Sequence, residues 1–95
     1  MSDKQAWEKK LEAQLEEWRA DIAKMEARSK KAGADAQADY ERELKRLRKL
    51  RDESEDELKK VRAASESAWQ DMRKGAEASW DAMTKAMRDA WSRFG

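Results

Sequence analysis

The chain has no cysteine, no histidine and no proline, and only three of its 95 residues are glycine. Without cysteine there is no disulfide, no thiolate nucleophile and no cysteine-ligated zinc site. Without histidine, the commonest general base and metal ligand is missing as well. The lack of proline and the scarcity of glycine remove the residues that most often interrupt a helix.

Strand-forming and large aliphatic residues are also scarce. The chain has one valine, one isoleucine, one threonine and one tyrosine, and Leu, Ile, Val and Phe together number nine. Alanine, glutamate, lysine, arginine and methionine dominate, and these favour helices over strands. The 22 basic and 21 acidic residues leave a net charge of +1, a dense and balanced charge that is typical of exposed helices and coiled coils. We therefore predict an all-α protein with a single domain over residues 1–95.

The large apolar residues recur every three or four positions, which is the spacing of one helix face. Trp69, Trp80 and Trp91 are eleven residues apart, and Trp7 and Trp18 have the same spacing. Eleven residues over three turns is about 3.67 residues per turn, so the stripe runs nearly straight along a helix. We predict that the stripe is a helix-pairing interface, made of Trp7, Leu11, Leu15, Trp18, Ile22, Met25, Tyr40, Leu44, Leu58, Trp69, Met72, Trp80, Met83, Met87, Trp91 and Phe94.

The stripe also reads as a mirror image about residue 49. The gaps of 4, 4, 3 and 4 residues that lead forward from Trp7 recur backward from Trp91. In an antiparallel pair of helices, this pattern places Trp7 near Trp91 and Trp18 near Trp80.

The residues around that centre have the features of a helix junction. The basic block of residues 45–51 precedes the acidic block of residues 52–57, a polarity that helix dipoles favour where one helix ends and another begins. Ser54 and Glu57 also fit a capping box. We predict a long antiparallel helical hairpin or coiled coil, with helix 1 over about 3–50 and helix 2 over about 54–94.

Two other arrangements stay open. A single unbroken helix that pairs antiparallel with a second chain satisfies the same mirror pattern. A break at Gly33, with basic residues before it and acidic residues after it, gives three helices instead. A lone hairpin buries only one seam, so we expect it to self-associate into a dimer or a higher assembly.

No pattern indicates catalysis, and we predict no catalytic, cofactor-binding or metal-ligating residue. The acidic block lacks the glycine of a calcium-binding loop, and the basic block is flanked by acidic residues that argue against nucleic-acid binding. We also expect no enzyme activity and no small-molecule substrate, because so few apolar residues cannot enclose a pocket. The expected function is that of a structural or interaction protein that self-associates. The alternative is a peripheral membrane or lipid-binding protein that acts through the amphipathic residues 66–94.

No apolar run is long enough for a membrane span or the core of a signal peptide, so a cytoplasmic location is the default expectation. Four segments carry a resemblance to a known family: LEEWRADI at residues 15–22, YEREL at 40–44, AWQDMRKG at 68–75 and SWDAM at 79–83. With these segments the chain resembles a group of small bacterial coiled-coil proteins that are described as stress-response or apolipoprotein-like. The resemblance implies a bacterial, non-enzymatic helical protein with a stress-response role, and it brings no catalytic residues.

Overall fold

The computed structural model describes residues 3–94, and within that range it contains helices but no strand. Helix α1 spans Asp3–Lys31, α2 spans Ala34–Ala63 and α3 spans Trp69–Phe94. The predicted all-α class is confirmed. Among the arrangements left open by the sequence, the described chain adopts the one with a break at Gly33, as a bundle of 51 × 20 × 19 Å.

The first break is two residues long and centres on Gly33. Helix α1 ends with basic residues in its last turn, and α2 starts with Asp35 in its first turn, so both helix dipoles are matched by charge. Gly33 is the N-cap of α2, with φ −67° and ψ 166°, and its carbonyl accepts the N–H of Gln37 at 2.8 Å. Glycine costs about 1 kcal/mol in a helix interior, so this position is a natural place for the chain to turn.

The second break spans residues 64–68 and depends on Ser65. Its hydroxyl accepts the N–H of Ala68 at 3.2 Å, and its carbonyl accepts the N–H of Trp69 at 3.1 Å. Ala64 leaves the helical conformation with φ −77° and ψ 149°. Ser65 therefore supplies the cap from which the chain enters α3.

The predicted junction near residue 49 does not exist, because α2 runs without interruption from Ala34 to Ala63. The predicted bounds of about 3–50 and 54–94 for two helices are corrected accordingly. Ser54 does not act as a cap: it lies within α2, and its side chain is fully buried. The charged blocks on either side of it contain good helix formers, and nothing in them stops the helix.

Two turns make α2 antiparallel to both neighbours, so α1 and α3 run parallel to each other. Helix α2 packs closely against both α1 and α3, whereas α1 and α3 meet mainly through tryptophan rings. The contact between Tyr40 and Phe94 sets the alignment of α2 with α3. Because α2 and α3 run antiparallel, a step toward the end of α2 corresponds to an equal step back along α3 from this contact. Ser54 of α2 therefore lies at about the same level of the bundle as Trp80 of α3.

The core is a single cluster that runs the length of the bundle and receives side chains from all three helices. Its buried hydrophobic members are Leu11, Leu15, Trp18, Ile22, Met25, Leu44, Leu47, Leu58, Val61, Trp69, Ala76, Trp80, Met83, Ala86, Met87 and Ala90. The three buried alanines all belong to α3, where small side chains allow α2 to approach closely.

Candidate functional site

The predicted helix-pairing residues occupy three kinds of position. Eleven of them are buried in the core: Leu11, Leu15, Trp18, Ile22, Met25, Leu44, Leu58, Trp69, Trp80, Met83 and Met87. Trp7, Tyr40 and Trp91 are half-buried against that core, and Phe94 is half-buried at its end. Met72 differs from the others, because it is 38% exposed and is the only large hydrophobic residue exposed in the described part of the chain.

Two tryptophan pairs join α1 to α3. The ring centroids of Trp7 and Trp69 are 5.6 Å apart, and those of Trp18 and Trp80 are 5.5 Å apart. Both pairs are tilted, an arrangement that aromatic quadrupoles favour. The predicted contact of Trp18 with Trp80 is therefore present. The predicted contact of Trp7 with Trp91 is wrong, because parallel helices bring Trp69 to Trp7 instead.

Arginine side chains cover the two ends of this aromatic seam. The guanidinium of Arg73 lies 5.8 Å from the rings of both Trp7 and Trp69. At the other end, the guanidinium of Arg28 lies 4.9 Å from the ring of Trp91 and donates to the carbonyl of Phe94 at 3.2 Å. Cations over aromatic faces contribute about 0.5–1 kcal/mol each at exposed sites, so they reinforce the seam where water reaches it.

A ladder of three ion pairs joins α1 to α2, and we call it the charge ladder. It pairs Glu12 with Arg62, Arg19 with Glu55 at 2.8 Å, and Glu26 with Arg48 at 3.2 Å. The residues are seven apart on each helix, and the sign of the charge alternates from one rung to the next.

The charge ladder specifies the alignment of α1 with α2. A slip of one rung would bring Glu12 opposite Glu55 and Arg19 opposite Arg48, and like charges in contact destabilise a helix pair. The ladder takes one residue from each charged block of α2: Arg48 pairs with Glu26, and Glu55 pairs with Arg19.

The ionisation of Arg19 is perturbed by its carboxylate partners. Its hydrogen bonds to Glu55 raise the pKa of the guanidinium above its ordinary value, against a small opposing effect of desolvation, and Glu16 at 2.5 Å adds to the rise. An arginine is not deprotonated in proteins even at its ordinary pKa, and the raised pKa acts in the same direction. The strength of this rung should therefore depend on salt and not on the titration of arginine.

A groove of about 570 Å³ follows the first two rungs of the ladder on the outer side of α1 and α2. Its floor contains Leu15 and Leu58, and its walls contain both signs of charge. Among the wall charges, Glu12 pairs with Arg62, and Arg19 pairs with Glu16 and Glu55. Within residues 3–94 there is also no group of three or more acidic side chains placed to hold a metal ion.

Searches against family models, curated proteins and solved structures found no match to this chain. None of the helices within residues 3–94 is both long and apolar enough to cross a membrane. The function therefore has to be inferred from the seam and the ladder themselves.

Besides Glu8 Oε1, which forms an ion pair with Lys4, two buried polar atoms in the described bundle have no hydrogen-bond partner, Ser54 Oγ and Trp80 Nε1. They belong to the same level of the bundle, where the Trp18 and Trp80 rings meet. A small residue on α2 at this level leaves room for the two indoles, and serine fills that position at the expense of an unpaired hydroxyl.

Replacing Ser54 by alanine should therefore raise the free energy of unfolding, by about 1 kcal/mol, because it removes an unpaired buried hydroxyl and keeps the small volume. Urea unfolding followed by circular dichroism measures this change. Ser92→Ala, at an exposed position of α3, is the control for helix propensity alone. A loss of stability in Ser54→Ala that Ser92→Ala does not show would mean that the hydroxyl is bonded in the folded protein.

Reversing one of the two charges of a rung should destabilise the bundle, and reversing the second charge as well should restore its stability. Arg19→Glu faces Glu55 and Glu16, and we expect it to cost about 1 kcal/mol at low salt and less at high salt. Arg19→Glu combined with Glu55→Arg should recover most of the loss. Thermal unfolding at two salt concentrations tests both variants, and a double variant less stable than Arg19→Glu would show that these residues do not pair.

The sequence reasoning missed the ladder, and it missed Glu43, which is buried. Seven-residue spacing of alternating charge was visible in residues 12, 19 and 26, and again in residues 48, 55 and 62. That pattern could have aligned α1 with α2. Ser29 falls at the level of Trp91 by the same offset of 62 residues that relates Trp18 to Trp80, so a small residue again stands where a large ring needs room.

Proposed function

We propose that the protein is a non-enzymatic helical interaction protein whose chemistry is helix pairing, within one copy and between copies. The observation that carries this proposal is that the large apolar side chains and the paired charged side chains contact neighbouring helices. The core-facing stripe meets other helices, and the best-aligned exposed charges form the ladder between α1 and α2. Side chains in a catalytic site converge on a cavity and a substrate, whereas here they recognise a neighbouring helix.

Self-association is part of this proposal, and a second copy of the chain is the partner. A partner with the same sequence offers the same stripe with eleven-residue spacing and the same ladder of alternating charge. We place this activity in the cytoplasm. The resemblance to small bacterial coiled-coil proteins adds a stress-response role, which a rise in expression under stress would support and unchanged expression would argue against.

Sedimentation equilibrium of the full chain over a wide concentration range tests the self-association. We expect a mixture of monomer and dimer that shifts toward dimer as concentration rises and that keeps its helical circular dichroism spectrum. A helical monomer at all concentrations up to the millimolar range would contradict the proposal.

A second function, binding to lipid surfaces through α3, is favoured by the character of the α1–α3 seam. These two helices meet through ring contacts and a hydrogen bond from Arg28 to the carbonyl of Phe94, whereas the charge ladder joins α1 to α2. Helix α3 could thus leave α1 without breaking a rung of the charge ladder, and its freed face would present Trp69, Trp80 and Trp91 to a lipid surface.

Flotation with anionic and with neutral vesicles separates the two functions. Lipid binding through α3 would carry the protein to the top of the gradient and abolish the near-ultraviolet circular dichroism of the paired tryptophans. The leading proposal expects the protein to stay with the dense fraction and to keep that signal.

A further inference from the structure

We propose that two copies of the chain associate by exchanging α1, with Gly33 straightening so that α1 and α2 become one continuous helix. This inference rests on the proposed self-association and states how it occurs. In the exchanged dimer, α1 of one copy occupies the place of α1 in the other, and it makes the same tryptophan pairs and the same charge ladder there.

The closed surface of the single bundle is the first reason for exchange. In the described chain, Met72 is the one large hydrophobic side chain that is exposed. Residues 3–94 thus leave no apolar face on which a second copy could simply dock. Association that buries apolar surface therefore has to reuse the contacts that already exist, which is what exchange of a helix achieves.

The backbone at the break is the second reason. Gly33 has φ −67°, which is already a helical value, and only its ψ of 166° is extended. A rotation of ψ to about −42° would extend the helix through this residue. The bond from Gln37 N–H to the Gly33 carbonyl is the bond that a continuous helix contains at this point, so it is kept.

The composition of the break is the third reason. The connection between α1 and α2 contains Ala32 and Gly33 and no proline. No residue in the described chain has a positive φ that would oppose a helix. The connection between α2 and α3 is different, because Ser65 caps the chain there with two hydrogen bonds. Exchange at Gly33 thus needs less rearrangement than exchange at residues 64–68, and short connections are those that favour exchange between copies.

Two substitutions at the break test the proposal in opposite directions. A Cβ added at Gly33 meets no atom within 4 Å, so Gly33→Ala fits the closed bundle. Alanine favours a helix interior over glycine by a factor of about five per residue, so two copies should raise the dimerisation constant about 30-fold. Ala34→Pro acts the other way. Residue 34 is the first of α2, where proline fits, and the extended Gly33 before it suits a proline.

Ala34→Pro should leave the closed bundle folded, because proline at the first helical position loses no hydrogen bond. It should disfavour the continuous helix about a hundredfold in each copy, since proline in a helix interior removes a hydrogen bond and clashes with the preceding turn. Sedimentation equilibrium of both variants gives the dimerisation constants. The continuous helix of residues 3–63 would also be about 90 Å long, against 51 Å for the closed bundle, which small-angle scattering detects in Gly33→Ala.

Complementary charge variants identify which helix is exchanged. One variant reverses the ladder charges of α1 with Glu12→Arg and Arg19→Glu, and the other reverses those of α2 with Arg62→Glu and Glu55→Arg. Each variant alone has two mismatched rungs, and each keeps the net charge of the chain. If α1 is exchanged, a mixed dimer of the two variants has every rung matched.

Mixed dimers should exceed the dimers of either variant alone by about fivefold or more. Introducing Ala34→Pro into both charge variants should remove this preference, which makes that pair the matched control. Exchange of α3, or docking of two closed bundles, would leave the α1–α2 rungs within each copy and would give no preference for mixed dimers.

The outcomes separate this inference from the proposed function. A Gly33→Ala variant no more dimeric than the original chain overturns the exchange. The exchange is also overturned if Ala34→Pro associates as strongly as the original chain and the two charge variants show no preference for mixed dimers. That result would leave self-association standing. An original chain that stays monomeric overturns the proposed self-association and with it the exchange in the natural protein, and dimers of Gly33→Ala with matched rungs would then show exchange in that variant alone.

Discussion

Replacing Trp18 with alanine is expected to lower the free energy of unfolding by about 3–5 kcal/mol, which is the cost of deleting a large buried aromatic side chain. The ring is 3% exposed and contacts Trp80 at the centre of the bundle. Its loss therefore leaves a cavity that small movements of α1 and α3 do not fill. Because domains of this size have a total stability of only about 5–15 kcal/mol, much of the protein should be unfolded on mild warming. Denaturant unfolding followed by circular dichroism measures the change.

Met72→Ala is the control for this prediction. Met72 is 38% exposed, so truncating it should cost no more than about 0.5 kcal/mol. A double-mutant cycle with Trp80→Ala isolates the contact between the two rings, which should contribute about 0.5–1.5 kcal/mol beyond the burial of each. Equal small losses in Trp18→Ala and Met72→Ala would mean that the centre of the seam is not packed as described.

The second large effect concerns Leu44, which is fully buried on the helix that contacts both others. Leu44→Asp should cost about 4 kcal/mol or more at neutral pH, because it places an unpaired charge in the core. Burial would raise the pKa of the new carboxyl, so the neutral form is the one the fold tolerates. Stability should therefore return in part as the pH falls through that raised pKa, and it should be lost as the pH rises.

Lys45→Asp is the matched control, because residue 45 is the exposed neighbour of Leu44 on the same helix. It introduces the same side chain into water and should change the stability by no more than about 0.5 kcal/mol. Thermal unfolding of both variants at acid and neutral pH makes the comparison. A Leu44→Asp variant as stable as Lys45→Asp at neutral pH would contradict the placement of Leu44 in the core.

The fold class and the stripe could be predicted from the sequence. The helix-forming composition and the recurrence of apolar residues every three or four positions are the same for any arrangement of the helices. The direction of the α1–α3 pairing did not follow. Trp7 and Trp18 are eleven apart, and so are Trp69 and Trp80, and equal spacing on two helices fits parallel and antiparallel pairing alike. The Trp18 and Trp80 contact is common to both arrangements, so predicting it could not decide between them.

The topology depended on which of two serines caps a helix. Ser54 is followed by a glutamate at the position of a capping box, whereas Ser65 has an alanine there. The structure nevertheless buries Ser54 and uses Ser65 as the cap. Ser54 is needed as a small residue at the level of the Trp18 and Trp80 rings, and that need arises only once three helices are assembled.

The buried alanines show a similar limit. Ala76, Ala86 and Ala90 lie in the core, but the chain is so rich in alanine that composition cannot tell a buried alanine from an exposed one. The alignment of α2 with α3 decides which alanines are buried. The charge ladder is the opposite case, since its spacing was visible in the sequence and would have aligned α1 with α2 correctly.

Distances between spin labels report directly whether α1 and α3 run parallel. The chain has no cysteine, so cysteines placed at residues 10, 70 and 89 in pairs carry the only labels. Lys10 and Gln70 line the same small groove between α1 and α3, and residue 89 lies about 28 Å further along α3. The parallel bundle predicts a short distance between labels 10 and 70 and a distance longer by about 20 Å or more between labels 10 and 89. A short distance between labels 10 and 89, with a long one between 10 and 70, would contradict it and would restore the antiparallel hairpin.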